Sequence, residues 1–420
     1  MKTLRYTALL FAMVFAFGCT PHRVEVPEAP KKAQLTFEQF QDRWKVIVDK
    51  YIQELPNTPE ARLACFQKLI AKGLEECLGD RNSHYLSKEN AEHIFENLRS
   101  TFSGVGIELS DESPTTIKSI IEESPAEKSG KFQVGDAIVD VDGQDVSSKP
   151  VQFIVDKVRG DVGTQVTLRV KRKGKKLEPV ILTRARVVKR TVYAVDIGKD
   201  ITYLKIDHFS NPTPDELMRE ISQRLLVKLR GNTWIFNYDA KKFVIDLRGN
   251  GGGAVDAVGL MSYFFAESED EVVLTTRSRN GEEVARAGMF IATGFGIPAG
   301  VFRDLQVVVI IDGGSASASE IFAEFLHQSM GVPLVGKKSY GKGSVQEIIA
   351  FEEGDALYIT IAEYFVGNKA VAIDKIGIQP EHEVDGPAPE KEKSGKWVPD
   401  VVKDTQLKKA IELLRAKPRN

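Results

Sequence analysis

Three stretches of the chain carry residue types suited to acyl-transfer chemistry. Asp312-Gly313-Gly314-Ser315-Ala316-Ser317-Ala318-Ser319-Glu320 follows the apolar run Val307–Ile311 and opens a helical pattern. A serine there sits at a strand-to-helix turn, with the positive end of a helix behind it. Ser339-Tyr340-Gly341-Lys342-Gly343-Ser344-Val345-Gln346 places a lysine between two glycines. Phe243-Val244-Ile245-Asp246-Leu247 runs into Arg248-Gly249-Asn250-Gly251-Gly252-Gly253, whose glycines let backbone N–H groups approach a developing oxyanion. A free lysine, with a pKa of about 10.4, is protonated at neutral pH and cannot act as a base. Burial disfavours the ammonium and lowers that value, so a desolvated lysine can take a serine's proton as the oxygen attacks a carbonyl. Which of the three serines would react is open at this level.

Other chemistries fit less well. Gly336-Lys337-Lys338-Ser339-Tyr340-Gly341-Lys342 matches most of a phosphate-binding loop, but residue 343 is glycine where a magnesium-binding hydroxyl is required. The histidines, at positions 22, 84, 93, 208, 327 and 382, share no triad motif with a serine, and no Gly-x-Ser-x-Gly elbow is present. His327 lies about 15 Å along a helix from Ser317 and reads as a surface or packing residue. Lys+Arg of 57 against Asp+Glu of 59 leaves a charge of −2, so no basic field points to nucleic acid. Three cysteines provide neither a disulfide scaffold nor a zinc-type pairing, and no metal or cofactor is expected.

The elements that must position these groups follow from period and punctuation. A length of 420 residues with 42% hydrophobic and 28% charged content suits a multi-domain globular protein. Lys2 and Arg5 precede the apolar run Thr7 to Phe17, which has the length of a signal-peptide core and is too short to span a bilayer. Residues 1–18 read as that signal and 19–34, with Pro21, Pro27 and Pro30, as an extended tether. Residues 35–100 read as a helical region that also begins the core: Phe37, Phe40, Trp44, Ile47, Tyr51 and Leu55 form one apolar stripe. Cys65 and Cys77 fall here, and they can pair only if the chain reverses near Gly73. Residues 101–188 alternate short β-rich runs with turn signals around one helical pattern, Pro150 to Val158. From 189 to 384 strands alternate with helices near Pro214–Leu229 and Ser319–Gln328, an α/β pattern. Residues 385–420 give a Pro/Lys/Glu linker and an amphipathic helix through Leu407, Ala410, Ile411 and Leu414.

Residues 101–188 resemble a PDZ domain in Phe102-Ser103-Gly104-Val105-Gly106-Ile107, Ser124-Pro125-Ala126, Val134-Gly135-Asp136-Ala137-Ile138 and Val141-Asp142-Gly143. In such a module the N–H groups around Gly104, Val105, Gly106 and Ile107 can cradle a peptide's terminal carboxylate, and the following strand edge can accept the tail as an added strand. Ile107, Leu109 and Val155 would line a pocket for the last apolar side chain. The whole of residues 35–416 resembles the carboxy-terminal processing (tail-specific) proteases, a serine–lysine peptidase family, with Asp80-Arg81-Asn82-Ser83-His84-Tyr85-Leu86 before the PDZ module and Gly377-Ile378-Gln379-Pro380 near the end.

The resemblance implies a multi-domain α/β fold: a helical N-terminal cap, a PDZ domain and a mixed α/β, crotonase-like core. In the family the nucleophile precedes the lysine by 25 residues; here 342 − 317 = 25, which selects Ser317 over Ser315 and Ser319. It implies Ser317 as nucleophile, Lys342 as base, Gln346 hydrogen-bonded to the lysine, and an oxyanion hole from Ala318 with Gly251 or Gly252. Members that place an acid eleven residues past the serine differ, since this chain has Gln328 there. The implied partners are protein or peptide substrates with apolar C-termini, in some members an adaptor protein. Ala16-Phe17-Gly18-Cys19 resembles a bacterial lipoprotein signal, which implies lipidation of Cys19, a membrane contact through that anchor alone, and a periplasmic location in the cell envelope. A catalytically inert PDZ adaptor or chaperone is the rival from another class.

Overall fold

The computed structural model describes residues 72–73, 78–110, 114–225, 228–230, 233–235, 237, 241–291, 297–352, 354–387, 389 and 397–416. The signal, Cys19, the tether, the stripe from Phe37 to Leu55, Cys65 and Cys77 lie outside the described residues.

The catalytic segments hang on a six-stranded sheet. Its order is Val192–Ile197, Ile201–Ile206, Lys242–Asp246, Val307–Ile311, Leu334–Gly336 and His382–Glu383; the first pair is antiparallel and the rest are parallel. Helices cover both faces, so the central strands are mostly apolar instead of alternating, with buried Lys205 and Asp246 as charged exceptions. Phe243, Ile245, Val307, Val309 and Ile311 point into the larger core with Leu217, Met261, Phe322 and Phe325 from three helices, Thr213–Arg224, Val255–Tyr263 and Ala318–Met330. Val244, Val308 and Ile310 point the other way, onto Leu407, Ala410, Ile411 and Leu414 of the C-terminal helix Thr405–Ala416.

A second six-stranded sheet faces the active-site end. Ala356–Val366 is its long strand and pairs antiparallel with His84–Leu86, Val272–Ser278, Ser344–Ala350 and Val371–Ala372; Gly281–Arg286 extends it at the far edge. Two sequence expectations are corrected here. His84–Leu86, inside a stretch read as helical, is a strand, because pairing with Ala356–Tyr358 decides the state of a run too short to show a period. The helix expected to reach Leu229 ends at Arg224, and Lys228–Arg230 instead forms a hairpin with Thr233–Ile235.

The PDZ module has its own core of Val105, Ile117, Ile138, Val141, Ile154, Val166, Leu168 and Val170. Thr101–Gly104 and Ala185–Val188 pair antiparallel where the chain enters and leaves the module.

Candidate active site

Ser315, Ser317 and Ser319 have different surroundings. Ser315 is fully buried and its hydroxyl donates to the Leu247 carbonyl at 2.9 Å. Ser319 is fully buried and donates to the Asn250 carbonyl at 2.7 Å. Both hydroxyls therefore tie the nucleophile turn to the glycine loop. Ser317 alone is partly open to solvent, at the N-terminal cap of Ala318–Met330. Its backbone sits at φ 56° and ψ −117°, which a side chain tolerates only when its surroundings enforce it.

Glu320, one turn into the helix and fully buried, supplies that enforcement. Its Oε2 accepts the N–H of Ser317 at 2.8 Å and that of Lys342 at 3.0 Å. Its Oε1 accepts the Gly341 N–H at 2.7 Å and the Ser339 hydroxyl at 2.5 Å. One carboxylate thus holds the serine and lysine backbones side by side. Burial pushes this carboxyl above its ordinary value, and the four donors work against that push. Sequence reasoning quoted Glu320 but gave it no role, although Ser-x-x-Glu at a helix start is the capping-box signal.

Close approach explains the glycines. A Cβ on Gly252, at φ +101°, would lie 2.7 Å from the Ala316 carbonyl and 2.8 Å from Ser317 Cβ. A Cβ on Gly343 would lie 2.3 Å from the Asp374 nitrogen, so the lysine's neighbour must also be bare. Of the expected oxyanion donors, the Gly252 N–H is taken by Asn250 Oδ1 at 2.9 Å. The N–H groups of Gly251 and Ala318 have no acceptor among the described residues. Asn250 organises this loop from a buried position: its Nδ2 donates to the Ile206 carbonyl at 2.9 Å, and its own carbonyl accepts the Ala316 N–H at 3.0 Å. Behind it, Arg248 is gripped by Asp246 and by Asp404 and Gln406 at the start of the C-terminal helix, while buried Lys205 donates to the Arg248 carbonyl at 2.7 Å.

Lys342 is half-buried. Burial holds its amine below the ordinary lysine value, and the Asp80 carboxylate pulls it back up. The amine makes no hydrogen bond to a described residue. The hydroxyl of Tyr364 donates to the Lys342 carbonyl. Tyr364 is buried and its phenol is pushed well above the ordinary value, so it is a neutral donor and no base. The expected bond between Gln346 and Lys342 is not formed. Gln346 Nε2 donates instead to Ser344 Oγ at 2.8 Å and Thr360 Oγ1 at 3.1 Å, because its strand turns that side chain toward the long strand of the sheet. Gln328 is held by Glu324 and the Val366 carbonyl, and His327 by the Val332 carbonyl, so both serve the far end of the helix. Among the described residues no cluster of ligating side chains could hold a metal ion.

At the PDZ module, the N–H groups of Val105 and Gly106 have no acceptor among the described residues, while their carbonyls bind Ala126 and Ile121. Val105's side chain is buried in the module core, so only its backbone faces a ligand. Gly106 has φ +81°, and a Cβ there would fall on Ser124. The strand Ile107–Leu109 pairs only with Ile117–Ile120 among the described residues, which leaves its other edge unpaired.

Comparison with known proteins agrees with this arrangement. The pattern of Peptidase family S41 matches residues 200–384, and that of a PDZ domain matches residues 116–172. The carboxy-terminal-processing protease of Bartonella bacilliformis is 34% identical over 338 residues, covering 78% of this chain and 72% of that protein. Carboxy-terminal processing protease CtpA of Bacillus subtilis is 30% identical over 315 residues, covering 74% of this chain and 62% of its own length. The solved structure of a photosystem II D1 C-terminal processing protease aligns with 82% of this chain and 92% of its own, at 22% identity and a TM-score of 0.44. The chain belongs to the carboxy-terminal processing proteases of peptidase family S41, serine-type enzymes with a PDZ domain.

Proposed function

We propose that Ser317 is the nucleophile and Lys342 the general base of an endopeptidase that grips apolar C-terminal tails through its PDZ module. The observation that carries this reading is the shared carboxylate of Glu320, which brings the one open serine of the turn next to a desolvated lysine. Rotation of the Ser317 and Lys342 side chains within the cleft brings the pair together. Neutral Lys342 then takes the hydroxyl proton as the oxygen adds to the scissile carbonyl. The N–H groups of Gly251 and Ala318 bind the oxyanion, each worth about 3–4 kcal/mol at the transition state. Lys342 next protonates the leaving amine, and water releases the acyl-enzyme. Gln346 acts at one remove, by fixing Ser344 and Thr360 beside the lysine strand.

The tail's carboxylate would meet the N–H groups of Val105 and Gly106, its backbone would add to the open edge of Ile107–Leu109, and Ile107, Leu109 and Val155 would take its last side chain. Export, lipidation at Cys19 and residence in the periplasm follow from the N-terminal signal; acylation lost in a Cys19→Ala variant, read by mass spectrometry, tests that part.

The central experiment gives purified protein an unfolded substrate ending in an apolar residue and the same substrate ending in aspartate. Wild type should cut the first and spare the second, while Ser317→Ala should bind the first without cutting. Undiminished cutting by Ser317→Ala would sink the assignment. Binding without cleavage by wild type would favour the inert adaptor.

A further inference from the structure

The wall facing the catalytic lysine is built partly from residues that precede the PDZ module. Asp80 is fixed there by its own turn: Oδ2 accepts the Ser83 hydroxyl at 2.6 Å and Oδ1 the Asn82 N–H at 2.9 Å. Ser83 is fully buried, and its hydroxyl oxygen accepts the Thr360 N–H at 3.0 Å. Asn82 Nδ2 donates to Ser344 Oγ at 3.4 Å, two residues beyond the lysine. His84–Leu86 then pairs with the same long strand. Asp80 is therefore anchored to both strands that frame Lys342.

The other charged or titratable groups around the lysine point elsewhere. From the nucleophile helix, the Glu320 carboxylate faces the Lys342 backbone N–H. From the long strand, Tyr364 faces the Lys342 carbonyl and Glu363 is exposed. Asp374 accepts the Gly343 N–H, and the Lys375 side chain is 92% exposed. Arg81 and His84 are exposed, and Glu347 lies on the strand Ser344–Ala350 that follows the lysine. Asp80 makes no ion-pair contact with Lys342, and among the described residues its carboxylate is the charge that favours the ammonium against the burial that disfavours it.

We propose that Asp80 is a positioning residue for the general base: its fixed carboxylate draws the Lys342 amine toward this wall and governs the pH range in which that amine works. The proposal rests on the Ser317–Lys342 reading. A negative charge favours the ammonium, so Asp80 opposes the burial that would otherwise free the amine. Neutralising it leaves burial unopposed, and the amine becomes a base at lower pH.

The test compares pH profiles of kcat/KM for wild type, Asp80→Asn, Asp80→Ser and Asp80→Glu. Asparagine and serine both keep an acceptor for the Asn82 N–H without the charge, so the fold of the turn survives in at least one of them. Both should move the acid limb down by about half to one pH unit, whereas Asp80→Glu should stay near wild type. In a Ser317→Ala background, the pH dependence of Lys342 acetylation by acetic anhydride, read by peptide mass spectrometry, should show the same downward shift. A uniform loss of rate with an unmoved midpoint overturns the proposal and leaves Asp80 a purely structural residue. Cleavage retained by Lys342→Met would instead overturn the catalytic reading itself, so the two failures are distinguishable.

Discussion

Around Ser317 the neighbouring hydroxyls and its own amide are engaged: Ser315 with Leu247, Ser319 with Asn250, and the Ser317 N–H with Glu320. Around Lys342 the backbone is tied as firmly, by Glu320 and Tyr364, yet the amine itself has no hydrogen bond to a described residue. The proposed nucleophile is thus located by its main chain and the proposed base by its medium. A hydroxyl needs direction, which a rigid turn supplies. An amine that must lose its proton needs a poorly solvated place, which hydrogen-bond acceptors would spoil by stabilising the ammonium.

Glu320→Ala attacks both halves at once and should be the most damaging change. It leaves three N–H groups, one of them buried, and a buried hydroxyl without their acceptor, so unfolding free energy should fall by about 3 kcal/mol, measured by urea denaturation, and cleavage should vanish. A variant as stable and active as wild type would show that the shared carboxylate does not hold the two segments. Gly252→Ala strikes the nucleophile side alone. Its methyl must displace the Ala316 carbonyl or Ser317 itself, so kcat should drop about a hundredfold while tail binding to the PDZ module, followed by fluorescence anisotropy, is unchanged.

The base side is sharpened by pH. Because burial lowers the Lys342 value, the neutral form accumulates below the ordinary lysine range. The logarithm of kcat/KM should therefore climb with pH and level off well before pH 10.4, the free-lysine value of about that size. A profile still rising there would mean that the amine is not desolvated. Gln346→Ala should have the mildest effect, about three- to tenfold in kcat, since it removes two neutral hydrogen bonds from the strand and none from the lysine. A loss as large as that of Lys342→Ala would mean that Gln346 reaches the amine during turnover.

The α/β architecture was legible because the runs Phe243–Leu247, broken only by Asp246, and Val307–Ile311 suit strands covered on both faces. The nucleophile turn and the lysine were legible because their glycines and serines punctuate those strands. Tyr364 and Asp80 were not, since a tyrosine inside an alternating strand and an aspartate in a turn carry no local mark of what they face. Their roles arise when the long strand Ala356–Val366 brings both beside Lys342. Gln346, placed beside the lysine by the family resemblance, bonds Ser344 and Thr360 here, because in a strand side-chain direction is settled by the pleat and by a register shift at Val345 and Gln346.

Arg248 leads the glycine loop into place, and half of its grip comes from Asp404 and Gln406, which lie 156 and 158 positions later in the chain. A nascent polypeptide that has already emerged past Ser317 and Lys342 therefore still lacks the last brace of its own cleft. The brace on the glycine loop is complete only when the helix on the opposite side of the sheet has docked.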